Sequence, residues 1–326
     1  MNLKNKSVLV TGGAGFIGSH LVDRLVKEKP SNIIVVDNFY LGKESNLRDA
    51  RLNFPSLKIV KMDCSDQKKM ERLVKNEDVD VVFNLAVIPL PISLIEPCWV
   101  YRHNVDMALS ACELARKGFY KTLVHFSSSE AYGDCQYAPM DEGHPLNPTT
   151  SYGASKAACD HLILSYCKSF RIDAVIIRPF NNYGPRQNEG SYAGVIPVTI
   201  KRILGGDSPI VHGDGEQTRD FIYVADTAEA AIKAYNCLKT RGKILNIARS
   251  KEISINSLVA LITEHLQCSK PVIHDEERPG DLRRLVGSTV LAKELIGFEP
   301  ITSWQDGLKS TIQWFKKARH NVSVKK

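Results

Sequence analysis

The sequence predicts an α/β protein built on a doubly wound parallel sheet, with a smaller C-terminal lobe. Three observations carry that reading. Short β-branched runs alternate with amphipathic stretches from residue 7 to about residue 177. A glycine-rich turn joins the first strand to the first helix. An acid ends the second strand about 20 residues further on.

Ser7-Val-Leu-Val10 reads as a buried strand, and helical periodicity follows from Phe16 to Lys29. Asn32–Val36, Leu57–Val60 and Val79–Phe83 are the next strands, with helices over Lys68–Lys75 and Trp99–Lys117. Thr122–Phe126 and Ala174–Ile177 continue the series around a helix over Tyr152–Phe170. After Arg178 the texture changes. Residues 178–187 and 205–209 are loop-like, and helices are expected near Ile196–Leu204, Thr227–Cys237, Ile255–Leu266 and Trp304–Lys317. The expected division is a sheet domain over 1–177, rejoined by about 221–248, and a lobe over 178–326. Without repeats or a low-complexity linker, the two should pack together.

The hydrophobic fraction of 43% and charged fraction of 24% are those of a soluble globular chain long enough for a large core. A net charge of +7, with many basic residues near the C-terminus and no aromatic interleaving, points away from nucleic acid. The eight cysteines show no metal-ligand spacing and read as reduced thiols, several of them in the core. The N-terminus enters a strand almost at once and no apolar run reaches membrane-spanning length. A cytoplasmic protein without leader or membrane partner is expected.

Thr11-Gly-Gly-Ala-Gly-Phe-Ile-Gly18 sits at the strand-to-helix junction. Gly12, Gly15 and Gly18 let backbone approach a pyrophosphate, while the helix N-terminus offers N–H groups and a favourable dipole. Asp37 suits ribose hydroxyls and repels a 2′-phosphate, and no arginine follows among Asn38, Phe39 and Tyr40, so NAD is favoured over NADP. Asp63 is read either as a partner of the adenine amine or as an exposed turn aspartate. Asn84-Leu85-Ala86 offers backbone near the nicotinamide ribose.

Ser127-Ser128-Ser129-Glu130 ends an apolar run, and Tyr152-Gly-Ala-Ser-Lys156 opens a helix. A phenol and an ammonium four residues apart share one helix face. The lysine should favour the phenolate, so that Tyr152 takes a proton from an alcohol near neutral pH. Glu130 is an additional general base; as an alternative, it caps a neighbouring helix.

Together these residues resemble the extended short-chain dehydrogenase/reductases that modify nucleotide sugars. The motifs are TGGAGFIG at 11–18, VDN at 36–38, YGASK at 152–156, RPFNNYGPRQ at 178–187, GDGEQTRDFIYVAD at 213–226 and RPGDLRR at 278–284. The resemblance implies a Rossmann domain with a substrate lobe, and a homodimer paired through the helices near 99–117 and 152–170. It implies that Tyr152 is the base toward the sugar C4 hydroxyl, that Lys156 binds the nicotinamide ribose, and that Ser128 bonds the C4 oxygen. NAD contacts would include Phe16, Ile17, Asn38, Cys64, Leu85, Ala86 and Asn104. Asn181, Asn182, Arg186, Val195, Arg219 and Arg278 would contact the nucleotide sugar. Guanidinium suits diphosphate bidentately, which agrees for the arginines.

Oxidation at C4 acidifies the C5 proton, and a carboxylate over C5 can remove it. Glu130 stands where the 4,6-dehydratase branch carries a glutamate, whereas 4-epimerases have a small or hydroxyl residue there. Many dehydratases precede it with Asp; here Ser129 leaves Glu130 to serve both C5 and the departing C6 hydroxyl. A related branch stops at a 5,6-ene. Decarboxylation benefits from a cation near a substrate carboxylate, and the apolar Val87–Ser93 segment offers none. The reading is a NAD-dependent dehydratase of a UDP-hexose such as UDP-N-acetylglucosamine. The alternatives are a UDP-hexose 4-epimerase, a UDP-glucuronate decarboxylase and a catalytically silent dinucleotide-binding regulator.

Overall fold

The computed structural model describes residues 1–190, 193–278 and 280–323. Its first half runs β1 (Ser7–Thr11), α1 (Phe16–Val26), β2 (Asn32–Asp37), α2 (Arg48–Asn53), β3 (Lys58–Lys61), α3 (Gln67–Asn76) and β4 (Val81–Asn84). There follow α4 (Leu90–Ser93), α5 (Pro97–Arg116), β5 (Thr122–Phe126), α6 (Ser151–Phe170) and β6 (Asp173–Pro179). Then come β7 (Asn181–Tyr183), α7 (Val195–Gly205), β8 (Ile210–His212), β9 (Thr218–Tyr223), α8 (Val224–Asn236) and β10 (Ile244–Ile247). The chain closes with β11 (Glu252–Ser254), α9 (Ile255–His265), β12 (Ile273–Asp275), β13 (Arg284–Leu285), α10 (Val290–Ile296) and α11 (Trp304–Ser323).

Seven parallel strands form the main sheet in the order β10-β6-β5-β4-β1-β2-β3. Strands covered on both faces need no polar alternation, and β1, β4 and β5 are buried throughout. One face packs Leu21, Val22 and Leu25 of α1 against Ala230, Ala231 and Ala234 of α8. The other packs Met107, Ala111 and Leu114 of α5 with Ile163 of α6 and Val74 of α3. The order reverses between β1 and β4, which opens a crevice beyond their carboxyl ends.

Over that crevice lies a second layer. β11, β9 and β13 form a small sheet, with β7 paired to β9, and β12 pairs with β8. Its core joins Ile196 and Ile200 of α7 to Leu258 and Ile262 of α9 and Leu308 and Ile312 of α11. After β9 the chain returns to the main sheet through α8 and β10, and α10 also packs beside β10. The 178–187 segment, read as loop, instead extends β6 to Pro179 and contributes β7, because its backbone pairs with Phe221–Tyr223. Among the described residues no helix is long and apolar enough to cross a membrane. The cysteines are free, with Cys64, Cys112 and Cys159 buried and Cys98 exposed.

The N-terminus of α6 is capped by Thr150, whose hydroxyl accepts from the Gly153 N–H at 3.1 Å. Thr150→Ala is expected to cost about 1 kcal/mol of stability in a denaturant titration, and Thr150→Ser close to nothing.

Candidate active site

A cavity of about 960 Å³ runs along the carboxyl ends of the main strands and beneath the lobe. It has a cofactor half, a reactive centre and a lobe half.

The cofactor half begins at Gly12, where φ is +65° and a Cβ would lie 2.8 Å from the Ala86 backbone nitrogen. Only glycine leaves that cradle open to a pyrophosphate. Gly15 caps α1 with no side-chain acceptor, so the first-turn N–H groups of Phe16, Ile17 and Gly18 border the cavity. Asp37 accepts from the Ala14 and Phe39 N–H groups at 2.9 and 2.8 Å. Burial raises its carboxyl above the usual range, and these two donors oppose the rise. The residues fit a dinucleotide, whose ribose hydroxyls Asp37 would hold, and Asn38, Cys64, Leu85 and Ala86 also line the wall. Thr11 holds that last stretch in place, its hydroxyl accepting from the Leu85 and Ala86 N–H groups at 3.1 Å.

The reactive centre is where a short helical turn, Ser129–Ala131, meets the start of α6. Ser128 accepts from the Glu130 N–H at 3.3 Å and bonds the Tyr152 phenol. Lys156 donates to the Phe126 carbonyl at 2.6 Å. Burial lowers its ammonium, opposed by Cys159 and Asp160. Burial also lifts Tyr152 to about 12, against the Ser128 hydrogen bond. The sequence led us to expect a phenol lowered by its lysine. In the protein alone, desolvation outweighs that attraction, because the ammonium is itself buried and turned to a carbonyl. Glu130 faces the cavity, and burial raises it from 4.5 to about 7, with Arg219 pulling it down and Asp281 pushing it up. A carboxyl that titrates near neutrality can both take and deliver a proton.

From the lobe, Arg219 donates to the Thr218 carbonyl at 2.8 Å and pairs with Asp281. Val195 starts α7, whose cap Gly194 brings no side-chain acceptor, and Arg278 stands exposed at the cavity's edge. These cationic and N–H groups suit a diphosphate. Asn181 lines the same wall with its Oδ1 buried and unpartnered.

Three expected contacts are spent elsewhere. Asn104 is absent from the cavity wall. It accepts from the Ile88 N–H at 2.8 Å and donates to the Ile88 carbonyl and Ser155 hydroxyl at 3.1 Å, tying the loop after β4 to α6. Asn182 borders the cavity but accepts from Thr227 at 2.7 Å and donates to the Phe180 carbonyl. Arg186 also borders it, yet its guanidinium pairs with Asp23 at 2.6 Å and Asp49 at 3.1 Å. Asp63 accepts from Ser65 and stands 3.5 Å from His103. Sequence reasoning missed the aromatic wall beside it, where Trp99 meets Tyr40 and His103 at ring distances of 5.8 and 5.3 Å. Placing Trp99 and His103 on one face of a helix that follows a sheet strand is the signal that could have found them.

The model of the NAD-dependent epimerase/dehydratase family matches residues 8–248. The chain belongs to that family. Within it, this chain is 36% identical over 311 residues to a putative UDP-glucose 4-epimerase from Methanocaldococcus jannaschii, across 95% of this chain and 98% of the relative. It is 35% identical to a UDP-N-acetyl-alpha-D-glucosaminuronate decarboxylase from Bacillus cytotoxicus, across 97% and 99%. A dTDP-glucose 4,6-dehydratase from Streptomyces venezuelae, solved with NAD, superposes with a TM-score of 0.91 at 27% identity over 96% of this chain and 98% of that one. Epimerase/dehydratase members use NAD, and the chain is similar to enzymes with three different outcomes on nucleotide sugars.

A strap between β7 and α7 docks on α1, α2 and the segment before α2, beside the cofactor half of the cavity. His20 bonds the Pro185 carbonyl at 2.9 Å, Arg186 reaches Asp23 and Asp49, and Lys43 pairs with Glu189 at 3.1 Å. Arg186→Ala should leave the circular dichroism spectrum unchanged while NAD retained through gel filtration falls severalfold. Full retention would show that the strap does not hold the cofactor.

The raised Glu130 carboxyl has a consequence for stability. The unfolded chain loses this proton near 4.5 and the folded chain near 7, so stability falls as pH rises through that window. Glu130→Gln should therefore melt above the wild type at about pH 8 and together with it near about pH 4. Equal melting at both would place Glu130 in solvent.

Proposed function

We propose that the chain is a NAD-dependent dehydratase of a UDP-hexose, with UDP-N-acetylglucosamine or a related neutral UDP-sugar as substrate. The observation that carries this reading is the placement of Glu130, a half-buried carboxyl in the cavity wall on the same turn as Ser128, with burial pushing it up to about 7. When bound, NAD accepts the C4 hydride and gives it back to close the cycle.

Ser128 holds the C4 oxygen and passes its proton to Tyr152. Lys156, one turn further along the same helix, is the group whose positive charge would favour the phenolate against the desolvation that raises it. Once C4 is a carbonyl, the C5 proton is acidic and Glu130 removes it. The same carboxyl, now protonated, delivers that proton to the C6 hydroxyl, which leaves as water; Ser129 supplies no acid of its own. With NAD bound, return of the hydride to C6 and of a solvent-derived proton through Glu130 to C5, as Tyr152 loses its proton to solvent, would give a 4-keto-6-deoxy sugar. Return of the hydride to C4 and of the Tyr152 proton to its oxygen would give a 5,6-ene. Val87, Ile88, Pro89, Leu90, Pro91 and Leu94 make the neighbouring wall apolar. A sugar without a C6 carboxylate fits such a wall better than a uronate, since an unpaired carboxylate there would be costly.

The second reading is a UDP-hexose 4-epimerase, favoured by the likeness to the archaeal relative. Epimerisation needs Ser128, Tyr152 and Lys156 but leaves Glu130 without a task. In either case we infer a cytoplasmic homodimer paired through α5 and α6.

Purified protein incubated with UDP-glucose or UDP-N-acetylglucosamine should yield a product lighter by one water in mass spectrometry. An isomer of unchanged mass would replace this reading with epimerisation, and loss of carbon dioxide from a UDP-uronate would replace it with decarboxylation. Glu130→Gln should block water loss by about a hundredfold or more while bound NAD is still reduced by substrate, seen as absorbance of the reduced nicotinamide.

A further inference from the structure

Beneath the reactive centre lies a charge pair that the chemistry above leaves unused. Asp160 and Arg178 meet at 2.6 Å with side chains about 1% exposed. Arg178 Nε and Nη1 and Asp160 Oδ1 are buried without hydrogen-bond partners. Such a pair loses more solvation than an apolar substitute would, so stability alone is a poor reason for it.

Its neighbours supply a better one. Asp160 Oδ2 also accepts from the Ser127 hydroxyl at 2.7 Å. The Arg178 guanidinium lies over the Tyr132 ring at 4.3 Å, and Tyr132 is anchored by donating to Asn246 at 2.8 Å. Ser127 and Tyr132 are the residues on either side of Ser128–Ala131. One ion pair therefore grips both ends of the turn that bears Ser128 and Glu130. Asp160 sits one helical turn beyond Lys156 and two beyond Tyr152, on the same face of α6.

We propose that Asp160 and Arg178, acting through Ser127 and Tyr132, are positioning residues that set the register between the reactive turn and the helix bearing Tyr152 and Lys156. The proposal rests on C4 oxidation with Tyr152 as base and NAD as hydride acceptor, which dehydration and epimerisation share, and not on the fate of C5. The Asp160 carboxylate also adds to the rise of the Tyr152 phenol. The other ionisable groups facing this cluster are Glu130 and Cys159 toward Tyr152, His125 toward Lys156, and Glu142 toward Arg178.

The test uses NAD-loaded full-length protein and whichever of UDP-glucose and UDP-N-acetylglucosamine the wild type converts. Ser127→Ala should lower kcat about tenfold, the worth of one hydrogen bond to a charged group, with KM and NAD content unchanged. Ser127→Thr, which keeps the donor, should recover most of the loss. Asp160→Asn should move the acid limb of the kcat/KM profile to lower pH, because a negative charge near the phenol is gone. If Asp160→Asn does not fold, the Ser127 pair decides. Wild-type kcat in Ser127→Ala, a loss confined to KM, no recovery in Ser127→Thr, or an unmoved acid limb in folded Asp160→Asn would each overturn the proposal. Failure of the dehydratase reading appears separately, as an isomeric product of the wild type, and leaves these rate ratios intact.

Discussion

The chemistry of the cleft depends on how closely the start of α6 can approach the turn at Ser129–Ala131. The contact is made at Gly153, where an added Cβ would stand 2.5 Å from the Glu130 carbonyl oxygen. A side chain at that position would lever the helix and the turn apart. Its absence lets Tyr152 reach Ser128 and brings Glu130 beside the phenol. The Thr150 cap and the Lys156 bond to Phe126 fix the same helix at its first and second turns.

Close approach also sets the proton affinities. Excluding water penalises charge, so Tyr152 and Glu130 rise together and Lys156 falls. For Tyr152 the outcome, in the protein alone, is a phenol that holds its proton. For Glu130 the outcome suits the proposed dehydration, in which one carboxyl balanced near neutrality would serve as base at C5 and acid at C6. The same burial gives two neighbouring groups different roles because their starting values differ.

Much of this arrangement is legible in the chain. Strands of the first half emerge within about two residues because β-branched runs and helical periodicity alternate there without ambiguity. The short lobe strands, such as Ile210–His212 and Arg284–Leu285, were not anticipated, since two or three residues carry no periodicity and their pairing is long-range. In the site, Gly12, Asp37, Ser128, Tyr152 and Lys156 fall on one cavity as their motifs suggest. What motifs do not carry is side-chain direction. Arg186 belongs to a motif, yet its partners Asp23 and Asp49 lie more than 130 positions away. Asn104 turns inward to Ile88 and Ser155 for the same reason. Burial of Tyr152, which reverses the expected direction of its titration, is a property of the assembled cleft and of no short segment.

The central claim is that Glu130 acts at the sugar's C5, and the C5 hydrogen reports on it directly. The reaction would be run in deuterium oxide and the sugar's C5 position read by NMR. The account requires that this hydrogen be lost, appearing as deuterium at C5 or as a 5,6-alkene, and that Glu130→Gln abolish the loss. Turnover with the C5 protium fully retained would contradict it, since C4 oxidation and return alone never touch that bond.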